Sequence, residues 1–143
     1  MLLMIENRLK VHYILVLGSI SNKLREEVIM EAYRLMEKIP WIPHPTAEGV
    51  QIKPFISEKE HGLGVTLMLV KIPAGKEVAE HIHANQDDIL YPLAGKGAMW
   101  VDGAGTFSLE PGIVVRVPKG TKHKIYEVTK DLLIYDVFCP ALL

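Results

Sequence analysis

Short apolar runs separated by turn residues fill the chain from residue 46 to residue 143, and this pattern constrains the fold most. Asp102-Gly103 is the strongest hairpin signal among the intervening turns. Many short strands with no helices between them predict an all-β antiparallel barrel or sandwich. The predicted strands are Val50–Ile56, Gly64–Ile72, Ala79–His83, Ile89–Leu93, Gly97–Val101, Gly105–Leu109, Ile113–Val117, Lys122–Val128 and Leu132–Phe138.

Residues 1–45 do not show this pattern of short apolar runs and turns. They are predicted to form an extension to the barrel, which would occupy residues 46–143. An apolar stripe at helical spacing predicts a helix over residues 22–39, ended by proline. The β-branched segment Val11–Leu17 favours a strand over a buried helical turn. Residues 41–45 contain two prolines and are predicted to be a stiff connector.

Composition excludes several classes of function. The net charge is -1, from 16 basic and 17 acidic residues, so neither nucleic acid nor an anionic membrane surface is an expected partner. The apolar runs near the start are too short for a membrane-spanning helix and lack the charge order of a signal peptide. A single cysteine, Cys139, rules out an internal disulfide and favours a cytoplasmic protein; we expect it to be a small buried apolar residue.

His81 and His83 are the first candidates for chemistry. Residues separated by two on a strand point to the same face, so both imidazoles can approach one ion, while Ile82 would point into apolar packing. The surrounding residues extend this pair into two spaced motifs, Gly75-x5-His81-x-His83-x4-Asp88-x6-Gly95 and Gly112-x5-Pro118-x-Gly120-x2-His123.

In these two motifs the chain resembles the cupin family, over roughly residues 50–138. The family motifs read G-x5-H-x-H-x3,4-E-x6-G and G-x5-P-x-G-x2-H-x3-N. The resemblance implies a double-stranded β-helix, or jelly-roll, barrel that holds a divalent metal through His81, His83, Asp88 and His123. It also implies a homodimer formed through added edge strands, for which Val11–Leu17 is a candidate.

The ligand set suggests the kind of metal. Three imidazoles and one carboxylate suit Fe, Mn, Ni, Cu or Zn, and the lack of thiolates argues against a structural zinc site. The chain departs from the family in having Asp88, one methylene shorter, in place of Glu. Asp87 fits the shorter family spacing and remains an alternative, and so does coordination through water.

Other polar residues receive weaker predictions. Glu127 stands where the family often has Asn, and strand alternation from His123 predicts that it faces inward, as a candidate for proton transfer. His12, His44 and His61 lack partners at ligand spacing and are predicted to be structural or exposed. Arg116, the single arginine of the barrel region, is predicted to face solvent, so no paired-arginine anion clamp is expected.

Three functions are compatible with such a site. The first, which we favour, is a metal-dependent, dioxygenase-like oxidoreductase acting on a small organic molecule. The second is a metal-dependent isomerase or lyase of a sugar or small acid, with the metal as Lewis acid. The third is a non-catalytic module that binds a small ligand.

Overall fold

The computed structural model describes residues 33–143. Residues 36–143 form one compact unit. The predicted strand Val11–Leu17 and most of the predicted helix over residues 22–39 lie outside the described residues. The described end of that helix was predicted wrongly, since it contains only a 3₁₀ helix, Met36–Lys38. Pro40 accounts only for the last position, Ile39, because a proline disfavours α-helical conformation in the residue before it.

Besides this 3₁₀ helix, the described residues form eight strands and one short α-helix, which confirms the predicted all-β class. The strands are β1 (Ile42–Pro43), β2 (Gln51–Ile56), β3 (Thr66–Ile72), β4 (Val78–His81), β5 (Asp87–Val101), β6 (Gly105–Leu109), β7 (Val115–Val117) and β8 (His123–Cys139), and the helix is α1 (Glu58–His61). Within this part of the chain no helix is long and apolar enough to cross a membrane.

All eight strands belong to one antiparallel sheet, in the order β1-β2-β3-β8-β5-β6. β4 pairs with β8 and β7 pairs with β5, beside this path. The two long strands, β5 and β8, therefore pair with different strands along their lengths, so that each passes from one layer of the barrel to the other. This is the jelly-roll arrangement that the sequence motifs implied.

β5 and β8 were each predicted as two strands, with Ala94-Gly95 as a turn between the two in the range of β5. In the structure Ala94-Gly95 is an irregularity inside β5, where the pairing with β8 shifts register on both sides of Ala94. Gly95 has a φ of 91°, a left-handed conformation that favours glycine. The strand bends there without reversing, because a bulge kinks a strand while pairing resumes on either side.

A second irregularity in β8 overturns the prediction for Glu127. This residue has a φ of 48°, and the register of β5 against β8 shifts beside it. Before the bulge His123 and Ile125 are buried, whereas after it the even-numbered Val128 and Leu132 are buried. Glu127 is therefore exposed, and the prediction that it faces inward was wrong.

After this bulge the odd-numbered residues of β8 face solvent. Cys139 is therefore exposed, contrary to its predicted burial.

The segment predicted as a stiff connector, residues 41–45, takes part in the barrel. β1 pairs with β2, with Ile42 opposite Ile52. Lys53 Nζ donates to the Met36 carbonyl oxygen at 2.8 Å and lies 4.8 Å from the centre of the Trp41 ring. The compact barrel unit thus begins at Met36, ahead of the expected start at residue 46.

Candidate metal centre

Strand pairing brings the two halves of the histidine pattern together. His81 at the end of β4 lies directly opposite His123 on β8, and their ring centroids are 4.2 Å apart. His83 follows the end of β4, with its ring 5.0 Å from that of His81 and 5.4 Å from that of His123. Each of the three rings offers a nitrogen within 4.8 Å of the others, so the group can hold one metal ion.

His83 reaches this group from a loop and not from the predicted strand. β4 ends at His81, and the His83 carbonyl oxygen accepts the Gly120 N–H at 2.8 Å, which ties the two motifs to each other. Ile82 is 51% exposed, so the prediction that it packs in the apolar interior was wrong. Alternation does not apply once the chain leaves the strand.

Backbone contacts set the tautomer of two histidines. His81 Nδ1 lies 2.8 Å from the Ala79 carbonyl oxygen, and His123 Nδ1 lies 3.0 Å from that of Thr121. Because a carbonyl oxygen only accepts, both Nδ1 atoms must carry the proton, which leaves the Nε2 lone pairs free for a metal. His123 Nε2 is buried and has no hydrogen-bond partner among the described residues. A divalent cation fits this donor set.

Asp88, and not Asp87, faces the histidines. The Asp88 side chain is buried, with Oδ2 3.3 Å from His123 Nε2 and 3.8 Å from His83 Nε2. Asp87 points to the other side of β5, where it forms an ion pair of 2.7 Å with Arg116 and accepts the Lys119 N–H at 3.0 Å. The Arg116 side chain is 65% exposed, which confirms that it faces solvent.

The electrostatics favour a cation at this place. Burial lowers the pKa of His81 and of His83, so both imidazoles stay neutral near pH 7. Burial alone would also lower the pKa of His123, but its contacts with Asp88 and the Thr121 carbonyl outweigh burial and raise it. Asp88 therefore attracts positive charge to His123 Nε2, where a metal ion would replace a proton.

Asp136 is a buried acid that the sequence analysis missed. It lies on β8 and lines the same cavity as the histidines. Burial, followed by the negative charge of the nearby Asp88, raises its pKa well above the ordinary value. An available signal was the alternation of Leu132, Ile134 and Phe138, which places residue 136 on their inward face.

The histidines open onto a cavity of about 380 Å³. His44, predicted to be structural or exposed, also lines it but lies outside the three-histidine group. Its Nδ1 accepts the N–H groups of Thr46 at 3.2 Å and Ala47 at 3.0 Å. Burial and the nearby His81 lower its pKa. Glu127 is not among the lining residues, so the structure offers it no contact with a substrate there.

A pair of isosteric variants tests the different roles of the adjacent acids. We expect Asp88→Asn to weaken metal binding by about 10- to 100-fold, because it removes the buried negative charge beside the histidines. Asp87→Asn weakens an ion pair on the other side of β5 and keeps an amide oxygen that can accept the Lys119 N–H, so this variant should bind metal like the wild type. Titration of each metal-free protein with Zn²⁺ measures both constants. Equal weakening in the two variants would contradict the assignment of Asp88.

Comparison with known proteins agrees with this geometry. The model of the Cupin domain family matches residues 68–138. An uncharacterized protein of Streptomyces coelicolor is 33% identical over 86 residues, which cover 60% of this chain and 76% of that protein.

Two solved structures have the same fold. The crystal structure of a predicted oxalate decarboxylase from Thermotoga maritima superposes with a TM-score of 0.67 at 21% identity, covering 76% of this chain and 98% of that one. Ectoine synthase from P. lautus gives a TM-score of 0.67 at 24% identity, covering 77% of this chain and 78% of that one. At these identities the likeness concerns the fold alone. Together with the family model and the histidine geometry, it shows that the chain belongs to the cupin family.

Proposed function

We propose that the protein is a metal-dependent oxidoreductase that uses O₂ to oxidise a small organic molecule. The observation that carries this proposal is the convergence of one ring nitrogen from each of the three histidines at the wall of a largely apolar cavity. Such a site holds a redox-active ion on one side and admits two apolar or weakly polar reactants, O₂ and an organic substrate, on the other.

The residues of the chain have separate tasks in this proposal. His81, His83 and His123 would hold the ion, and Asp88 would add a carboxylate directly or through water. The bound metal, Fe, Mn or Cu, would supply the redox chemistry. Asp136, whose pKa is raised by burial, is the group placed to exchange a proton with the cavity, in the role predicted from sequence for Glu127.

A second candidate is an isomerase or lyase in which the metal polarises a carbonyl group. The observation that favours it is again Asp136, because a buried carboxyl group of raised pKa is a suitable general acid or base. The two candidates share the metal and the cavity and differ in whether O₂ is consumed.

Oxygen uptake by metal-loaded protein separates these functions. Metal-free protein is reloaded with Fe²⁺, Mn²⁺, Cu²⁺ or Zn²⁺ and incubated with catechols, 1,3-diketones and thiols. We expect uptake with at least one redox-active ion and none with Zn²⁺, since zinc has no redox chemistry. Bound metal without uptake would support the isomerase or lyase. Failure to bind any of these ions would support a metal-free ligand-binding module.

A further inference from the structure

Apolar side chains form the walls of the cavity on several sides. The side chains that form them come from β2, β3 and β8, and they include Ile52, Met68, Val70, Ile125, Ile134 and Phe138. The volume of about 380 Å³ corresponds to about a dozen water-sized groups at roughly 30 Å³ each. The space is therefore suited to a compact molecule such as a substituted single ring.

No lysine or arginine of residues 33–143 lines this cavity. Arg116 is engaged with Asp87 on the outside of the barrel. Lys53 is buried, but its ammonium group donates to the Met36 carbonyl oxygen. A ligand that carried an anionic group away from the metal would find no cation among these residues to balance it.

His44 is the polar exception in the wall, and its hydrogen bonds keep it from acting as a cation. Nδ1 accepts two backbone N–H groups, from Thr46 and Ala47, so it carries no proton of its own. The ring is therefore neutral with its proton on Nε2. It can donate one hydrogen bond, but it does not neutralise a carboxylate or a phosphate.

The acidic groups that face the cavity offer an anion no positive charge either. Asp88 and Asp136 both line it, and both are buried. Only the metal would bring positive charge, and it would act on the group that binds it directly. Burying an unpaired carboxylate elsewhere in such a cavity is strongly unfavourable.

From these observations we propose that the natural substrate has an apolar, uncharged body, and that any anionic group it carries is confined to the end that meets the metal. This inference rests on the proposed metal site and adds the class of substrate to it. It excludes small dicarboxylates and sugar phosphates, whose second charge would lie against the apolar wall.

Three hydroxamates with the same metal-binding group test this inference. Benzohydroxamate has an apolar body, and 4-carboxybenzohydroxamate adds a negative charge to it. In 4-nitrobenzohydroxamate an uncharged nitro group of the same shape replaces the carboxylate. Affinities are measured by calorimetry on the full chain loaded with Zn²⁺, which holds the ligand without turning it over. Zinc content is measured first on the same sample.

We expect the unsubstituted and nitro compounds to bind within about 5-fold of each other, and the carboxy compound to bind at least about 30-fold more weakly. Equal binding of the carboxy and nitro compounds would overturn the inference while leaving the metal site intact. So would failure of all three to bind zinc-loaded protein, since the cavity would then not lead to the metal. Absence of zinc itself would instead contradict the proposed function.

Discussion

Replacing His81 by Ala should remove the metal. We expect wild-type protein to retain about one divalent ion per chain, and His81→Ala to bind the same ion at least about 100-fold more weakly. Loss of a group that only supports a ligand already costs 10- to 100-fold, so loss of a ligand costs more. Elemental analysis after dialysis, followed by titration with Zn²⁺, measures this loss. The side chain is only half-buried, so the variant should fold.

His44→Ala provides the matched control. Both histidines line the same cavity, but His44 lies outside the three-histidine group and its Nδ1 is occupied by backbone N–H groups. We therefore expect its metal affinity to stay within about 3-fold of wild type. Undiminished metal content in His81→Ala would contradict the site, and equal losses in the two variants would indicate that His44 is a ligand as well.

The histidine cluster was predictable because its spacing encodes local geometry that strand pairing then completes. His81 and His123 lie in two motifs far apart in sequence, and the resemblance to a known family linked them. Asp88 was separable from Asp87 by spacing, and the structure adds the reason that they face opposite sides of one strand.

The errors for Glu127 and Cys139 have a common origin in β8. Alternation predicts direction only while each residue keeps an extended conformation, and Glu127 with its φ of 48° breaks this condition. The residue type does not indicate a bulge at this position, because positive φ is uncommon for glutamate. The bulge turned Glu127 outward, and Asp136 supplies the inward acid.

The place of His44 in the cavity wall was not predicted, for a different reason. It lies directly after β1, a two-residue strand that includes a proline and that periodicity does not detect. Its place in the cavity depends on the pairing of β1 with β2, a contact between separate segments. Such tertiary placement is not visible in the spacing of residues along one segment.

Replacing Gly95 by Ala should destabilise the barrel by at least about 3 kcal/mol, or prevent cooperative folding. A Cβ atom at this position would lie 2.6 Å from the Asp131 carbonyl carbon and 2.7 Å from Leu132 Cα. Both neighbours are backbone atoms of β8 and have no rotamer by which to move away. The φ of 91° adds a conformational cost. Urea denaturation followed by circular dichroism measures the free energy of unfolding.

The variant Gly103→Ala separates two contributions to the loss of stability, the steric contact of the new Cβ atom and the strain of a left-handed backbone. Gly103 also has positive φ, 80°, but a Cβ there would have no atom within 4 Å. We expect it to lose only about 1–2 kcal/mol, the cost of a left-handed alanine. Similar losses in both variants would show that β5 and β8 do not approach closely at Gly95.

The register of β5 against β8 on either side of this bend places Asp88 opposite Phe138 and Val101 opposite His123. The motif glycine thus serves the metal centre indirectly, by letting two strands cross closely enough for their side chains to converge.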